Sequence, residues 1–527
     1  MEPHRMPRQS GRHHGDPSGS ATGAVTDFPT GTMRTKERAR ESSEAGAMTV
    51  TLSLERERKL SVGRGFRLPD LQGTLLPPRL LTSTYFDTEG YRLATAGITL
   101  RRRVQQRRSC WQLKLPGAEG RYEVEAQGGP GRPPTQVLDP LFTHLRGAAV
   151  APVVTMRTWR TGTRIATDGR AVAEVVLDAV SVVVDRHVAM HFREVEIELL
   201  DGDEAVLDRL EDRLRQAGAA DHDGRPKMFR VLDLPLPEPV PPVAQDAPII
   251  EHLRALLSAQ VALWLRYDPL VRIGKSVEAV HQMRVATRRL RALLRAALPL
   301  LVPEWSEQVR SELSWLAGVL GPARDLDVLI EYFQQELASL ERREAPPVRR
   351  LIQKLIRDRA GIQGDLVSAL RTDRYLAALD LAEAGSRQPQ VIQSDVALSG
   401  IAAAEFRKLR KSVRALPEHP SDEDLHQVRI RGKRARYAAE LAETTVGRPA
   451  SRFIQRAKDL QDILGMHQDA VVAEERVRSY MDGSQSRTAA FAAGRMVERQ
   501  HQRKQQARRE FVAIWKKLEK RGKKVWG

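Results

Sequence analysis

The sequence predicts two domains of different class, a multidomain arrangement of α+β followed by all-α. Three observations predict it. From residue 48 to about 233, apolar residues recur at every second position in short runs separated by turn residues, the period of strands. From about 249 onward the apolar spacing changes to three and four, the period of helices, and stays so to the end. Between the two lies PLPEPVPPVAQDAP, 235–248, whose proline content marks a stiff linker. Strands followed by helices read as separate domains rather than one α/β sheet. The chain therefore divides into a disordered tail at 1–47, a strand domain at 48–233, a linker at 234–248 and a helical domain at 249–527. The tail is expected because Gly, Ser, Thr, Arg and His dominate it and apolar periodicity is lacking.

Composition narrows the function. A length of 527 residues is too great for one core, and 41% hydrophobic content is enough for globular packing. No run of 18 apolar residues occurs, and the best candidate, ALLRAALPLLVP, is broken by Arg295 and two prolines, so no membrane span is expected. Cys110 is the sole cysteine, which excludes an intrachain disulfide framework and a multi-cysteine metal site and suits a reducing cytoplasmic setting. The net charge of +18 calls for a polyanionic partner: nucleic acid, an anionic membrane surface or a phosphate-rich molecule. Aromatic content of 5% counts against single-strand binding by base stacking.

The strand domain opens with TLSLERERKL, 51–60. Leu52 and Leu54 alternate with Thr51 and Ser53, so Glu55, Glu57 and Lys59 share one strand face. The pattern recurs. Leu100 and Val104 oppose Arg101 and Arg103; Trp111, Leu113 and Leu115 oppose Gln112 and Lys114. Val124 opposes Glu123 and Glu125, Val175 and Leu177 oppose Glu174 and Asp178, and Val195 and Ile197 oppose Glu194 and Glu196. Alternation alone fits a sheet with one wet face as well as a closed barrel with a charged lumen. The repeated Glu-x-Glu favours the lumen. Crowded carboxylates raise one another's pKa unless positive charge sits among them, which a divalent cation supplies through oxygen ligands. Arg and Lys on the same face would then hold phosphate oxygens. DEAVLDRLEDRLRQAG, 203–218, is an amphipathic helix available to cover the outer face.

These motifs, in order, resemble the CYTH family of triphosphate tunnel metalloenzymes: Glu55-x-Glu57-x-Lys59, then TYFDT at 84–88, LRRR at 100–103, QLKLP at 112–116, RYEVE at 121–125, VLD at 176–178 and REVEIE at 193–198. The resemblance implies an eight-stranded antiparallel β tunnel with flanking helices that binds a triphosphate and Mg²⁺ or Mn²⁺. It implies metal ligands at Glu55, Glu57, Glu123, Asp178, Glu194 and Glu196, with Glu125 and Glu174 behind them. It implies triphosphate-binding cations at Lys59, Arg101, Arg103, Lys114, Arg157 and Lys227, the last in Pro226-Lys227 where the family has Ser-Lys. Catalytic roles fall to Glu55, Glu57, Lys59 and Glu123, one of the three carboxylates positioning the attacking water. No Walker loop or nucleophile elbow competes.

The helical domain carries an internal repeat. VEAVHQMRVATRRLRALL, 277–294, aligns with DEDLHQVRIRGKRARYAA, 422–439, and LAGVLGPARDLDV, 316–328, with LQDILGMHQDAVV, 460–472. The repeats run over about 249–390 and 395–527 and predict two similar bundles. His281, Arg284, Arg288, Arg291 and Arg295 fall three and four apart and form one helix stripe; His426, Arg429, Lys433 and Arg436 form the second, which ends in Glu440 where a cation is expected. Val280, Met283, Thr287, Leu290 and Leu294 form the adjoining buried stripe, so the cations flank a core rather than stand clear of it. A basic helix face is commonly just solvated; its duplication points instead to a shared groove. Neither histidine has a second ligand four residues on, which disfavours a metal site there. The HQxR and LGxxxD segments resemble the CHAD domain, named for its histidines, and imply inorganic polyphosphate binding along the basic stripes.

The sequence thus predicts metal-dependent hydrolysis of a triphosphate or polyphosphate phosphoanhydride in the tunnel, with polyphosphate docked on the helical domain. The alternative is a non-catalytic polyphosphate-binding protein in which both domains only recognise phosphate. Nucleic acid is a less favoured partner, and association with polyphosphate granules follows from charge and resemblance alone.

Overall fold

The computed structural model describes residues 51–106, 108–117, 120–184, 187–237, 243–338, 340–342, 344–481 and 486–527. The tail expected at 1–47 and residues 238–242 of the linker lie outside them.

Eight long strands form the first part, with a two-residue strand, Ala220–Asp221, added beside the first of them: β1 (Thr51–Ser61), β2 (Thr74–Asp87), β3 (Thr99–Gln105), β4 (Arg108–Pro116), β5 (Arg121–Gln127), β6 (Ala151–Thr167), β7 (Arg170–Val184) and β8 (His187–Leu199). Their order is β5-β4-β3-β2-β6-β7-β8-β1, every pair is antiparallel, and β1 pairs again with β5 to close the barrel. Closure removes the sheet edges. The β6–β7 hairpin turns on Asp168 and Gly169, both at positive φ, 51° and 76°, which is the backbone a two-residue hairpin turn demands.

Period 2 sends alternate side chains to opposite walls. On one flank the outer face (Leu60, Val175, Leu177, Val195, Ile197 and Leu199) packs on Leu207, Leu210 and Leu214 of a covering helix, Glu204–Gln216. On the other flank Leu100, Trp111, Leu113, Leu115 and Val124 are fully buried against three short helical turns and the helical domain. Those turns are Arg92–Thr95, Thr135–Leu138 and Phe142–Leu145. In order with the covering helix they are α1, α2, α3 and α4. The TYFDT motif serves this junction. Tyr85 points into the lumen, Phe86 packs on Trp111 with ring centroids 4.8 Å apart, and buried Asp87 accepts from the N–H groups of Thr88, Leu93 and Ala94 to fix α1. A short helix, α5 (Lys227–Val231), closes one barrel end by seating Met228 and Phe229 among Tyr85, Val154, Met156, Val180 and Val182.

The second part is helical: α6 (Ile249–Ile273), α7 (Val277–Ala296), α8 (Pro303–Leu337), α9 (Ala345–Leu370), α10 (Asp373–Arg387), α11 (Leu398–Arg414), α12 (Asp422–Val446), α13 (Arg448–Met481) and α14 (Arg487–Trp526). The internal repeat appears in the helix caps. Ser276 accepts from Ala279 N–H at the start of α7, and Ser421 stands in the matching place on α12, where it forms a capping box with Asp424. The predicted apolar stripe of α7 (Val280, Met283, Thr287, Leu290, Leu294) is buried throughout.

The two parts share one core, because Leu100, Trp111 and Leu113 are contiguous with Leu253, Leu257 and Trp264 of α6. Polar ties cross the same junction. Buried Asp268 accepts from Thr143 Oγ1 at 2.8 Å, and Arg371 reaches Asp139 at 2.8 Å. Arg146 adds ion pairs to Asp380 and Glu383.

Candidate active site and basic groove

The lumen collects the inward parity of all eight strands. From β1 come Glu55, Glu57 and Lys59; from β3 and β4, Arg101, Arg103, Gln112 and Lys114; from β5, Glu123 and Glu125; from β7 and β8, Asp178, Glu194 and Glu196. Side chains the sequence reading did not single out join them. Arg79 and Arg160 face each other across the β2–β6 ladder, and Tyr85 accepts from Arg101 Nη1 at 3.2 Å. Arg157 does not reach the lumen. It pairs with Thr82 and Ser181 on the outer wall and is exposed, so Arg160 is the cation that β6 offers inside.

Two groups of carboxylates result. In the first, Asp178, Glu194 and Glu196 each present an oxygen within 4.8 Å of the other two. Asp178 and Glu194 are fully buried, so their charges demand compensation. Arg160 supplies part of it, bidentate to Asp178 with both contacts at 2.7 Å and reaching Glu196 Oε2 at 2.7 Å. Arg230 donates to Glu194 Oε2 at 2.8 Å while stacking on Phe192. His222 accepts Gly224 N–H at Nδ1, 2.9 Å, and its Nε2 lies 3.4 Å from Glu194 and 3.0 Å from Arg230 Nη1. Lys227 was expected among the phosphate-binding cations; its ammonium instead lies among these carboxylates, 3.0 Å from Asp178, 2.5 Å from Glu194 and 2.8 Å from Glu196. Burial pushes the Glu196 carboxyl up, but Lys227, Arg160 and Lys59 outweigh it and hold Glu196 well below the usual range.

In the second group Lys114 pairs with Glu55 and lies 3.9 Å from Glu123, and Arg101 is also 3.9 Å from Glu123. Burial raises the Glu55 carboxyl above its usual range. Burial pushes Glu123 the same way, but Lys114, the Glu55 carboxyl and Arg101 prevail and hold it low. The two carboxyls are therefore set apart in acidity, Glu55 retaining a proton more readily than Glu123. Glu57 pairs with Lys59 at 3.0 Å. Of the six carboxylates expected to bind metal, Asp178, Glu194 and Glu196 converge on one point and Glu55, Glu57 and Glu123 line the adjoining wall. Three carboxylates, two buried and one half-buried, are hard oxygen donors, the set that suits a divalent cation such as Mg²⁺.

Arg103 stands apart. Among the described residues it makes no ion pair, its Nε is buried without a hydrogen-bond partner, and burial next to Arg101 and Arg160 pushes its guanidinium down to about 10. Arg79 Nε is likewise buried and unpartnered. Two lumenal arginines, Arg103 and Arg79, thus make no ion pair among the described residues, a feature that favours an anion nearby.

The helical domain presents a second cationic surface where α7 packs against α12. Arg284 donates to Gly321 O at 2.9 Å and to Asp325 at 3.2 Å; Arg291 donates to Ser314 at 3.1 Å. Arg288, Arg295, Arg429 and Lys433 make no ion pair among the described residues, and the Nε atoms of Arg288 and Arg429 are buried without partners. Burial, then Arg429, Arg288, Arg436 and Arg284, push the Lys433 ammonium down to about 7, so the two stripes meet in one field. Glu440 is buried under Arg289 and Arg436 and draws Arg436 out of the stripe. His426 Nδ1 meets Gln468 Oε1 at 2.8 Å. In the first repeat Arg324 occupies the matching place; burial and this arginine hold the His281 ring below its usual range.

No helix among the described residues is long and apolar enough to cross a membrane. A CYTH domain model matches residues 53–224, and a CHAD domain model matches residues 255–478. An uncharacterized protein of Mycobacterium tuberculosis strain H37Rv is 32% identical over 514 residues, which span 90% of this chain and 98% of that protein. Among solved structures, the CHAD domain from the plant Ricinus communis is 24% identical, with a TM-score of 0.44 over 53% of this chain and 94% of that one. An adenylyl cyclase-like protein from Hippeastrum, described as having a dominant triphosphatase activity, is 20% identical, with a TM-score of 0.24 over 35% of this chain and 98% of that one.

Proposed function

The chain belongs to the family of proteins that join a CYTH domain to a CHAD domain, and on that premise we propose that it hydrolyses triphosphate phosphoanhydrides with a divalent metal while its helical domain docks inorganic polyphosphate. The observation that carries the reading is Arg103, a lumenal guanidinium beside Arg101 and Arg160 that makes no ion pair among the described residues and whose Nε is buried without a hydrogen-bond partner. A triphosphate supplies the missing negative charge. Arg79, Arg101, Arg103 and Lys114 would hold its phosphoryl oxygens, with Lys59 and Arg160 at the border of the acidic cage. Asp178, Glu194 and Glu196 would hold Mg²⁺ or Mn²⁺. Once bound, the metal supplies charge neutralisation at the phosphoryl oxygens.

Hydrolysis breaks one P–O–P bond as water oxygen bonds to phosphorus, and one phosphate leaves. Glu123, held ionised by Lys114 and Arg101, is suited to accept a hydrogen bond from the attacking water; Glu55, whose carboxyl burial raises, is suited to carry a proton towards the leaving oxygen. On the helical domain, the unpaired Arg288, Arg429 and Lys433 favour a flexible rod of closely spaced charges with no bases to read. The test is phosphate release from inorganic tripolyphosphate with Mg²⁺, with Mn²⁺ and with chelator, beside Glu55→Gln/Glu57→Gln and Glu196→Gln variants. Metal-dependent release lost in the variants is expected. Absence of release from every triphosphate offered to the folded protein would leave only a phosphate-binding module.

A further inference from the structure

The inner oxygens of the acidic cage converge on a cation that the chain itself provides. Asp178 Oδ2, Glu194 Oε1 and Glu196 Oε1 lie 3.0, 2.5 and 2.8 Å from Lys227 Nζ. The other oxygens are tied down from outside: Asp178 Oδ1 and Glu196 Oε2 by Arg160, each at 2.7 Å, and Glu194 Oε2 by Arg230 at 2.8 Å. Arg160 and Arg230 thus hold the three carboxylates in place around one central point, and that point is filled. Its occupant stands at the first turn of α5, whose Met228 and Phe229 are fully buried in the apolar closure of the barrel end.

We propose that Lys227 is the resident counter-cation of this cage and that a divalent metal enters only by displacing its ammonium. The inference rests on the metal-dependent reading of the tunnel. An ammonium and a divalent ion cannot both sit within about 3 Å of the same three oxygens, because their repulsion at that range in a low-dielectric interior is many kcal/mol. Displacement is not a net loss of charge balance. The freed ammonium turns to the lumen wall beside Lys59 and Arg160, where it is unfavourable alone and favourable next to a bound polyanion. Metal entry and triphosphate binding therefore support each other, and the metal-free protein keeps its cage closed to stray cations. The phosphate-side role expected for Lys227 and its position among the carboxylates become two states of one side chain.

The experiment measures Mn²⁺ binding to the full-length protein from the loss of the free-ion electron paramagnetic resonance signal, for the unsubstituted chain and for Lys227→Met. Methionine keeps the length of the stem and removes the charge. Removing a competitor should tighten Mn²⁺ binding at least tenfold, although a cation-coordinating pocket has lost no ligand and gained none. A second readout needs no substitution: acylation of Lys227 by an amine-reactive reagent, followed by peptide mass spectrometry, should be slow without metal and faster by severalfold with saturating Mn²⁺. Binding to Lys227→Met that is equal or weaker, or a Lys227 acylation rate unmoved by bound Mn²⁺, overturns the displacement and leaves the metal site standing. No Mn²⁺ retained by either chain overturns both the displacement and the metal-dependent reading.

Discussion

Arg289 of the first helical repeat closes on Glu440 of the second, Nη2 to Oε2 at 3.0 Å, and Glu440 is 6% exposed. The same carboxylate takes Arg436. In the first repeat the matching position is Arg295, which is exposed and without an ion pair among the described residues. Glu440 therefore ties the repeats together by neutralising two cations, Arg436 of the basic stripe and Arg289 beside the other. Glu440→Gln should release both. Polyphosphate should bind more tightly at low salt, and the salt dependence should steepen by roughly 0.7 per released cation on the single-strand scale. The substitution should also destabilise the fold by about 1 kcal/mol, because two partly exposed guanidinium groups lose their counter-charge. Anisotropy of labelled polyphosphate across a salt series, with a thermal melt alongside, reads both effects.

The two functions should separate by mutation. Arg284 and Arg288 lie on the groove, and neither belongs to the lumen. Arg284→Glu with Arg288→Glu reverses two charges and should weaken polyphosphate binding at least a hundredfold. Cleavage of tripolyphosphate should stay within twofold of the unsubstituted protein. Parallel binding and phosphate-release assays check this; loss of both together refutes the division of labour. Competition with DNA at physiological salt ranks the polymers, and DNA binding tighter than polyphosphate would contradict the docking role.

Lys433 gives the groove a pH dependence with a definite sign. Burial and the neighbouring Arg429, Arg288, Arg436 and Arg284 push its ammonium down to about 7, so near pH 7 it is about half neutral. A bound polyanion cancels the field of those arginines and raises the pKa again. Binding therefore takes up protons above pH 7, up to about one per site near pH 8, and affinity falls as pH rises beyond 7. Calorimetry in two buffers of different ionisation enthalpy measures the uptake. Lys433→Arg, charged throughout, should abolish it while retaining affinity.

Parity carried most of the lumen. On β1, on β5 and on the last stretch of β8 from Val195 to Leu199 the apolar residues keep to one parity, so Glu55, Glu57, Glu123, Glu194 and Glu196 could be assigned to the other face from spacing. On β6 both parities carry apolar residues, Met156 on one and Trp159 on the other, and spacing could not choose between Arg157 and Arg160. The choice is made by the ladder to β2, whose register shifts between Leu76 and Arg79 before Arg79 meets Arg160. Lys227 escaped for a different reason. Its surroundings are set by how α5 enters the barrel end, which no local pattern encodes. On the helices, spacing of three and four placed both stripes, yet the partner of Glu440 is 151 positions away in sequence and so was invisible. The shared core was missed likewise, since a proline-rich linker reads as separation while Trp111 and Trp264 end in one cluster.

That shared core predicts how the protein unfolds. Asp268 is fully buried at the domain junction and accepts from Thr143 Oγ1 at 2.8 Å, Arg272 Nε at 2.8 Å and Tyr375 OH at 2.5 Å. Tyr375 OH in turn accepts from Trp264 Nε1 at 2.7 Å, and the Arg272 guanidinium lies 4.8 Å from the Phe142 ring centroid. Thr143 and Phe142 belong to the barrel side, the rest to the helical side, so the network crosses the boundary. Asp268→Ala leaves the Arg272 guanidinium buried without its counter-charge and should cost about 3–5 kcal/mol. Thr143→Val removes one neutral donor with little change of shape and should cost about 1–2 kcal/mol. Because Leu100, Trp111 and Leu113 pack into the same core as Leu253, Leu257 and Trp264, the barrel and helical domain should melt in a single calorimetric transition. Asp268→Ala should lower that transition or split it in two, as the junction weakens before either domain does. Two well-separated transitions in the unsubstituted protein would show that the junction carries too little energy to couple the domains.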